Sequence, residues 1–223
     1  MGYMGDLFIY KLISGQPGDL WQYLSHVGIV MFSICLHEYG HAAMAFKLGD
    51  DTAARDGHLS LNPLIQMKGG ALVFLFLVGL AWGMVPVNPA ILRRHKYGEV
   101  LVSFAGPAMN LMLFLLSGII VAILLLTGVE AEYTIKLLWQ VSLLNAALFL
   151  LNMLPIPTLD GWNIYEHWVP AMRGIDPAMA QQIAFFAILA VLVTPLGNVI
   201  WTGADQMAGG LVRVCAHIYG TFA

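Results

Sequence analysis

Cys35-Leu36-His37-Glu38-Tyr39-Gly40-His41 lies inside an apolar run that covers residues 20–48. On an α-helix, His37 and His41 are one turn apart and project from one face, with Glu38 beside them. Two imidazoles so placed can grip a single Zn²⁺ ion while the neighbouring carboxylate serves as acid/base, the core of a zinc hydrolase. The competing reading is two interfacial histidines and an incidental glutamate. A carboxylate within an apolar span is costly, which favours the functional reading. Cys35, two residues before His37, points from nearly the opposite helix face and reads as a small buried hydrophobe. His26 shares the motif's face, but at about 16 Å by helix rise it is too far to be a ligand and reads as a boundary histidine.

The whole chain shares this apolar character. Of 223 residues, 59% are hydrophobic and 10% charged, against about 25% charged in an ordinary soluble domain. The expectation is an all-α integral membrane protein, a polytopic bundle of four to five spanning helices forming one membrane-embedded domain over residues 1–223. A net charge of −3 points away from nucleic acid as a partner. The partners expected are the lipid bilayer and a membrane protein or peptide. Residues 1–19 read as an interfacial lead-in that lacks the parts of a cleavable signal peptide. Residues 203–223 read as a C-terminal tail, too short and mixed for a span.

Gly49-Asp50-Asp51 stops the first apolar segment. His58-Leu59-Ser60-Leu61-Asn62-Pro63 then alternates like a short strand ending in a turn, so a small β-element near the metal is expected. His58 reads as a surface hydrogen-bonder. Residues 69–85 form a second apolar segment at the lower limit for crossing, followed by the basic cluster Arg93-Arg94-His95-Lys96. The third, residues 100–127, contains Gly106-Pro107-Ala108-Met109-Asn110. There Asn110 needs a polar partner, while Gly106 and Pro107 read as ordinary helix packing.

The fourth segment, residues 137–154, runs into Asn152-Met153-Leu154-Pro155-Ile156-Pro157-Thr158-Leu159-Asp160-Gly161. The two prolines force the backbone to unwind, and irregular backbone at membrane depth is tolerated only where protein or water covers it. Asp160 is the only acidic residue between Glu132 and Glu166. A carboxylate is the oxygen ligand that a two-histidine zinc site lacks. The alternative is a plain turn after a helix. Residues 178–201 form the fifth segment, broken by Pro195 and Gly197.

If all five segments cross, Lys and Arg divide five to five between the two sides. If residues 69–85 enter the membrane and return, the division becomes seven (Lys47, Arg55, Lys68, Arg93, Arg94, Lys96, Arg173) against three (Lys11, Lys136, Arg213). Asp160 then emerges on the side of the histidines. The charge bias and this placement both favour four spans with a re-entrant segment, the zinc side facing the cytoplasm.

His37-Glu38-x-x-His41, Gly106-Pro107-x-x-Asn110 and Asn152-x-x-Pro155 followed by Leu159-Asp160-Gly161 resemble, in this order, the site-2 protease family of intramembrane zinc metalloproteases. Leu61-Asn62-Pro63-Leu64 and Pro86-Val87-Asn88-Pro89 resemble its compact prokaryotic branch, which implies a cell inner membrane. The resemblance covers about residues 20–164. It implies peptide-bond hydrolysis within or beside the membrane, with one Zn²⁺ per chain held by His37, His41 and Asp160 and with Glu38 as catalytic acid/base. Gln66 departs from the branch, which often has a histidine shortly after the Asn-Pro-Leu turn, and no connection is long enough for a PDZ domain. Asn152 is the candidate for stabilising the oxyanion, against a purely structural hydrogen bond.

Two rivals stand beside this reading. A soluble-type metallopeptidase would take a glutamate ligand from a nearby helix, yet no Glu occurs between Glu38 and Glu99. A non-proteolytic membrane zinc-binding protein or a metal transporter would also bury His, Glu and Asp. It would need further acidic residues along the other spans, which the sequence lacks, and no inverted repeat is evident.

Overall fold

A computed structural model describes residues 19–222. The expected lead-in, apart from Asp19, lies outside the described residues. The long helices are α1 (Asp19–Lys47), α6 (Gly98–Leu126), α7 (Glu132–Asn152) and the pair α9 (Pro177–Val193) and α10 (Leu196–Phe222). Between them lie the short helices α2 (Thr52–Arg55), α3 (Pro63–Gln66), α4 (Gly69–Val78), α5 (Pro89–Leu92) and α8 (Asp160–Glu166). Helices α1, α6 and α7 are long and apolar enough to cross a membrane, and α9 with α10, bent by 68°, passes the same test as a pair, with the geometry of a broken span or a re-entrant loop. The chain is a multi-pass helical membrane protein.

Helix α6 lies at the centre, packed against α1, α7, α8 and α10. One core joins α1 to α4 and α7 through Val27, Val30, Ile34, Leu75 and Leu144. Another joins α6, α7 and α10 through Phe114, Ala146, Ala147, Ala204 and Ala208. Residues 203–222, expected to be a tail too short to span, continue α10. Ala204 and Ala208, one turn apart and fully buried, seat that helix on the bundle.

Helix α1 ends where Gly49 adopts φ +88° and the Asp50 N–H reaches back to the Ala45 carbonyl at 2.9 Å, a left-handed glycine cap. Helix α4 ends the same way at Gly79, φ +80°. Its 10 residues rise about 15 Å, half of the roughly 30 Å hydrocarbon core, so it cannot cross. The segment comes back to where it began: the Met84 N–H donates to the Gln66 carbonyl at 3.4 Å. Two further bonds tie its exit to the end of α1, Asn88 N–H to Asp50 Oδ2 at 2.6 Å and His95 Nε2 to the Leu48 carbonyl at 2.9 Å. The turn after α1, both ends of the re-entrant segment and the start of α6 therefore share one end of the bundle. Cysteines placed at Lys68 and Arg94 should be labelled by an impermeant reagent from the same side and one at Lys136 from the other; labelling of the first two from opposite sides would refute this topology.

Residues 58–62 are not a strand, and no strand occurs among the described residues. The expected β-element fails because a side chain takes the place of a partner strand. The Gln66 amide donates to the carbonyls of His58 and Ser60 at 2.8 and 2.5 Å, and its Oε1 bonds His58 Nδ1 at 2.8 Å. His58 is buried, so it is a core residue and not a surface hydrogen-bonder.

Asp50 is fully buried and joins three pieces of backbone. Burial alone would raise its pKa, but the Asn88 N–H and the hydroxyl and N–H of Thr52 outweigh that and hold the carboxyl below its usual 3.8. With the folded-state value below the unfolded one, its stabilisation is full above about pH 4 and is lost as pH falls through the folded-state value. An Asp50→Asn variant should be about 2 kcal/mol less stable at pH 7, the scale of hydrogen bonds to a charged group. In thermal melts of the metal-free protein the gap should close on acidification. A gap independent of pH would contradict this role.

Candidate metal centre

Helix α1 presents His37 and His41 one turn apart, both buried, towards α6. The third group comes from the unwound stretch after α7. Thr158 takes a positive φ of 74° there, a strained conformation for a β-branched residue of the kind that clusters at functional sites. Gly161 lets α8 fold back on this stretch, since a Cβ there would lie 2.5 Å from the Leu154 carbonyl oxygen. Asp160, the first residue of α8, thereby reaches the histidines.

Asp160 Oδ2 lies 3.0 Å from His37 Nε2, Asp160 Oδ1 lies 3.3 Å from His41 Nε2, and the two Nε2 atoms are 3.0 Å apart. The other ring nitrogens are both donors. His41 Nδ1 donates to the Val102 carbonyl at 2.7 Å, and His37 Nδ1 donates to Asn110 Oδ1 at 2.6 Å. In the neutral rings both Nε2 lone pairs then face each other and a carboxylate, an arrangement of acceptors that a cation relieves. Zinc bonds of about 2.0 Å in a tetrahedron put ligand atoms about 3.3 Å apart, close to the spacing here. The three residues fit one zinc ion and can hold it.

Helix α6 is shaped to this centre. Val102, Gly106 and Asn110, spaced four apart, face the histidine rings, and a Cβ on Gly106 would lie 2.3 Å from His41 Nε2 and 2.5 Å from His37 Nε2. The close packing expected at Gly106 is thus packing against the two histidine rings, and a side chain there would intrude on the space between their Nε2 atoms. A signal was present in the matching four-residue spacing of His37 and His41. Pro107, in the same helix, is fully buried.

Glu38 is only 6% exposed, and the backbone of Gly83 presses on it; a Cβ there would fall 2.2 Å from Glu38 Cγ. Nothing in the sequence reading singled out Gly83. Asn152, the last residue of α7, is half-buried. Cys35 is buried in the α1 core, and Cys215 is half-buried. His26 bonds the Gly79 carbonyl at 3.0 Å, bracing the turn of the re-entrant segment.

A bundle of membrane helices enclosing two histidines, an aspartate and a buried glutamate defines a membrane metalloenzyme with an internal site. The chain is 36% identical over 221 residues, 96% of its length and 98% of the relative's, to the protein named "Putative zinc metalloprotease YwhC" of Bacillus subtilis (strain 168). It is 32% identical over 196 residues, 78% of this chain and 71% of the relative, to "Putative zinc metalloprotease Rip2" of Mycolicibacterium smegmatis. A protein of the same name in Mycobacterium tuberculosis (strain H37Rv) is 30% identical over 218 residues, 89% of this chain and 80% of the relative. The chain matches no family model and no solved structure. It belongs to the site-2 protease family and is a zinc metalloprotease.

Proposed function

We propose that this chain is an intramembrane endopeptidase that hydrolyses peptide bonds of transmembrane or membrane-proximal substrates. The observation that carries the reading is the convergence of His37, His41 and half-buried Asp160 beside Glu38, with both histidines and Glu38 buried on a helix long and apolar enough to cross a bilayer.

His37, His41 and Asp160 would hold a zinc ion, which would supply the Lewis acidity that lowers the pKa of water towards about 7. Glu38 takes the proton of the attacking water and returns it to the leaving amine. Its low exposure keeps that exchange away from bulk solvent. The Asn152 amide has no hydrogen-bond partner among the described residues, which suits a donor reserved for the developing oxyanion.

A substrate helix must unwind before its peptide bond is exposed. Residues 81–87 offer a template. They carry no regular secondary structure, Trp82 and Met84 are exposed, and Gly83 faces Glu38. Among the described residues one hydrogen bond, from the Met84 N–H, ties their backbone down, which leaves amides and carbonyls open to an extended peptide. The seven cations at the metal-bearing end of the bundle support a cytoplasmic site in a bacterial inner membrane.

The test is a cleavage assay in detergent with a panel of transmembrane peptides and soluble counterparts. Cleavage should be confined to the transmembrane set, vanish when a chelator strips the metal and return with one equivalent of zinc. Val87→Pro, which removes a donor from the template, should raise KM, and Asn152→Ala should lower kcat by about 10²-fold or more. An unaltered KM would remove the template, and an unaltered kcat would remove Asn152 from the reaction. Zinc-dependent ion flux in vesicles, without cleavage of any peptide, would replace the protease reading with transport.

A further inference from the structure

The tautomer of His37 depends on an asparagine, and asparagine amides are reversible. With Asn110 Oδ1 towards the ring, His37 Nδ1 carries the proton and Nε2 offers its lone pair. With the amide flipped, Nδ1 must accept, the proton moves to Nε2, and the ring cannot ligate. His41 has no such weakness, because its partner is the backbone carbonyl of Val102.

Asn110 Nδ2 donates to Asn145 Oδ1 at 2.9 Å. Asn145 is itself fixed, since its Nδ2 donates to the Val141 carbonyl at 2.8 Å and to Ser33 Oγ at 3.0 Å. A backbone carbonyl can only accept, so this end of the relay cannot reverse. Asn110, Asn145 and Ser33 are all completely buried. The relay starts on α7, crosses α6 and ends on a ring of α1, with Ser33 one turn before His37 on that same helix.

We infer that Asn145 is a positioning residue for the metal site: anchored on the Val141 carbonyl, it locks the Asn110 amide so that His37 Nε2 stays directed at the zinc. The inference rests on the reading of His37 as a zinc ligand. Leucine at 145 fills similar space but frees the Asn110 amide to flip. A carboxylate at 110 accepts through either oxygen and needs no lock.

In the full chain in detergent, Asn145→Leu should weaken zinc binding about 10- to 100-fold in chelator competition. In metal-free, ¹⁵N-histidine-labelled protein the His37 ring should shift from Nδ1–H towards Nε2–H. Adding Asn110→Asp to Asn145→Leu should restore both the affinity and the Nδ1–H form. Because the double variant carries the same leucine, damage from misfolding would persist in it, and recovery separates the lock from packing. Unchanged affinity in Asn145→Leu, or a double variant no better than the single one, would overturn the inference. If His37→Ala binds zinc as tightly as the wild type, the ligand reading itself fails, independently of the lock.

Discussion

Glu38→Gln should keep one zinc per chain and cleave a transmembrane peptide about 10²–10⁴-fold more slowly than the wild type, the span of a lost general acid/base. Glutamine preserves the shape of the side chain, and the three groups that converge on the metal position are untouched. What disappears is the ability to take a proton and give it back. No other carboxylate replaces it, because Asp160 is committed to the histidines at 3.0 and 3.3 Å. Cleavage at the wild-type rate would exclude Glu38 as acid/base, whereas loss of zinc would give it a structural role instead.

Gly106→Ala should abolish stoichiometric zinc binding, weakening it by more than about 100-fold, beyond the range typical of groups that merely support ligands. The added methyl would fall 2.3 Å from His41 Nε2 and 2.5 Å from His37 Nε2. Neither ring can retreat, since the Nδ1 atoms are held at 2.7 and 2.6 Å by Val102 and Asn110. Gly69→Ala is the control: a Cβ there meets nothing within 4 Å, so zinc and activity should persist. Stoichiometric zinc in Gly106→Ala, measured by elemental analysis, would show that the metal lies elsewhere.

Much of this architecture was legible because the membrane makes polar residues conspicuous. His37, Glu38 and His41 stand out inside an apolar run, and their helical spacing puts both rings on one face. Asp160 stands out because carboxylates are scarce around it and two prolines unwind the chain before it. The re-entrant segment could be read from its length and from the Lys and Arg balance. What sequence did not reveal depends on neighbours brought together by folding. The alternation at residues 58–62 suggested a strand, but the Gln66 amide claims those carbonyls. Gly83 and Gly106 matter through what they lack, and a missing side chain carries no signal until the opposing helix is known. Helix α10 was hidden by its mixed composition, since only Ala204 and Ala208 show how it seats on the bundle. Asn110 was recognisable as a polar group in need of a partner, but the direction of its amide is set by Asn145 and Val141 on another helix.

The assignment of the zinc to His37, His41 and Asp160 is open to experiment. Zinc K-edge X-ray absorption on the purified protein tests it most directly. The spectrum should show a four-coordinate shell of nitrogen and oxygen at about 2.0–2.2 Å, with the outer scattering of two imidazoles, and loss of one light-atom ligand in Asp160→Ala. A sulfur shell at about 2.3 Å, implicating Cys35 or Cys215, or a spectrum indifferent to Asp160→Ala, would contradict it.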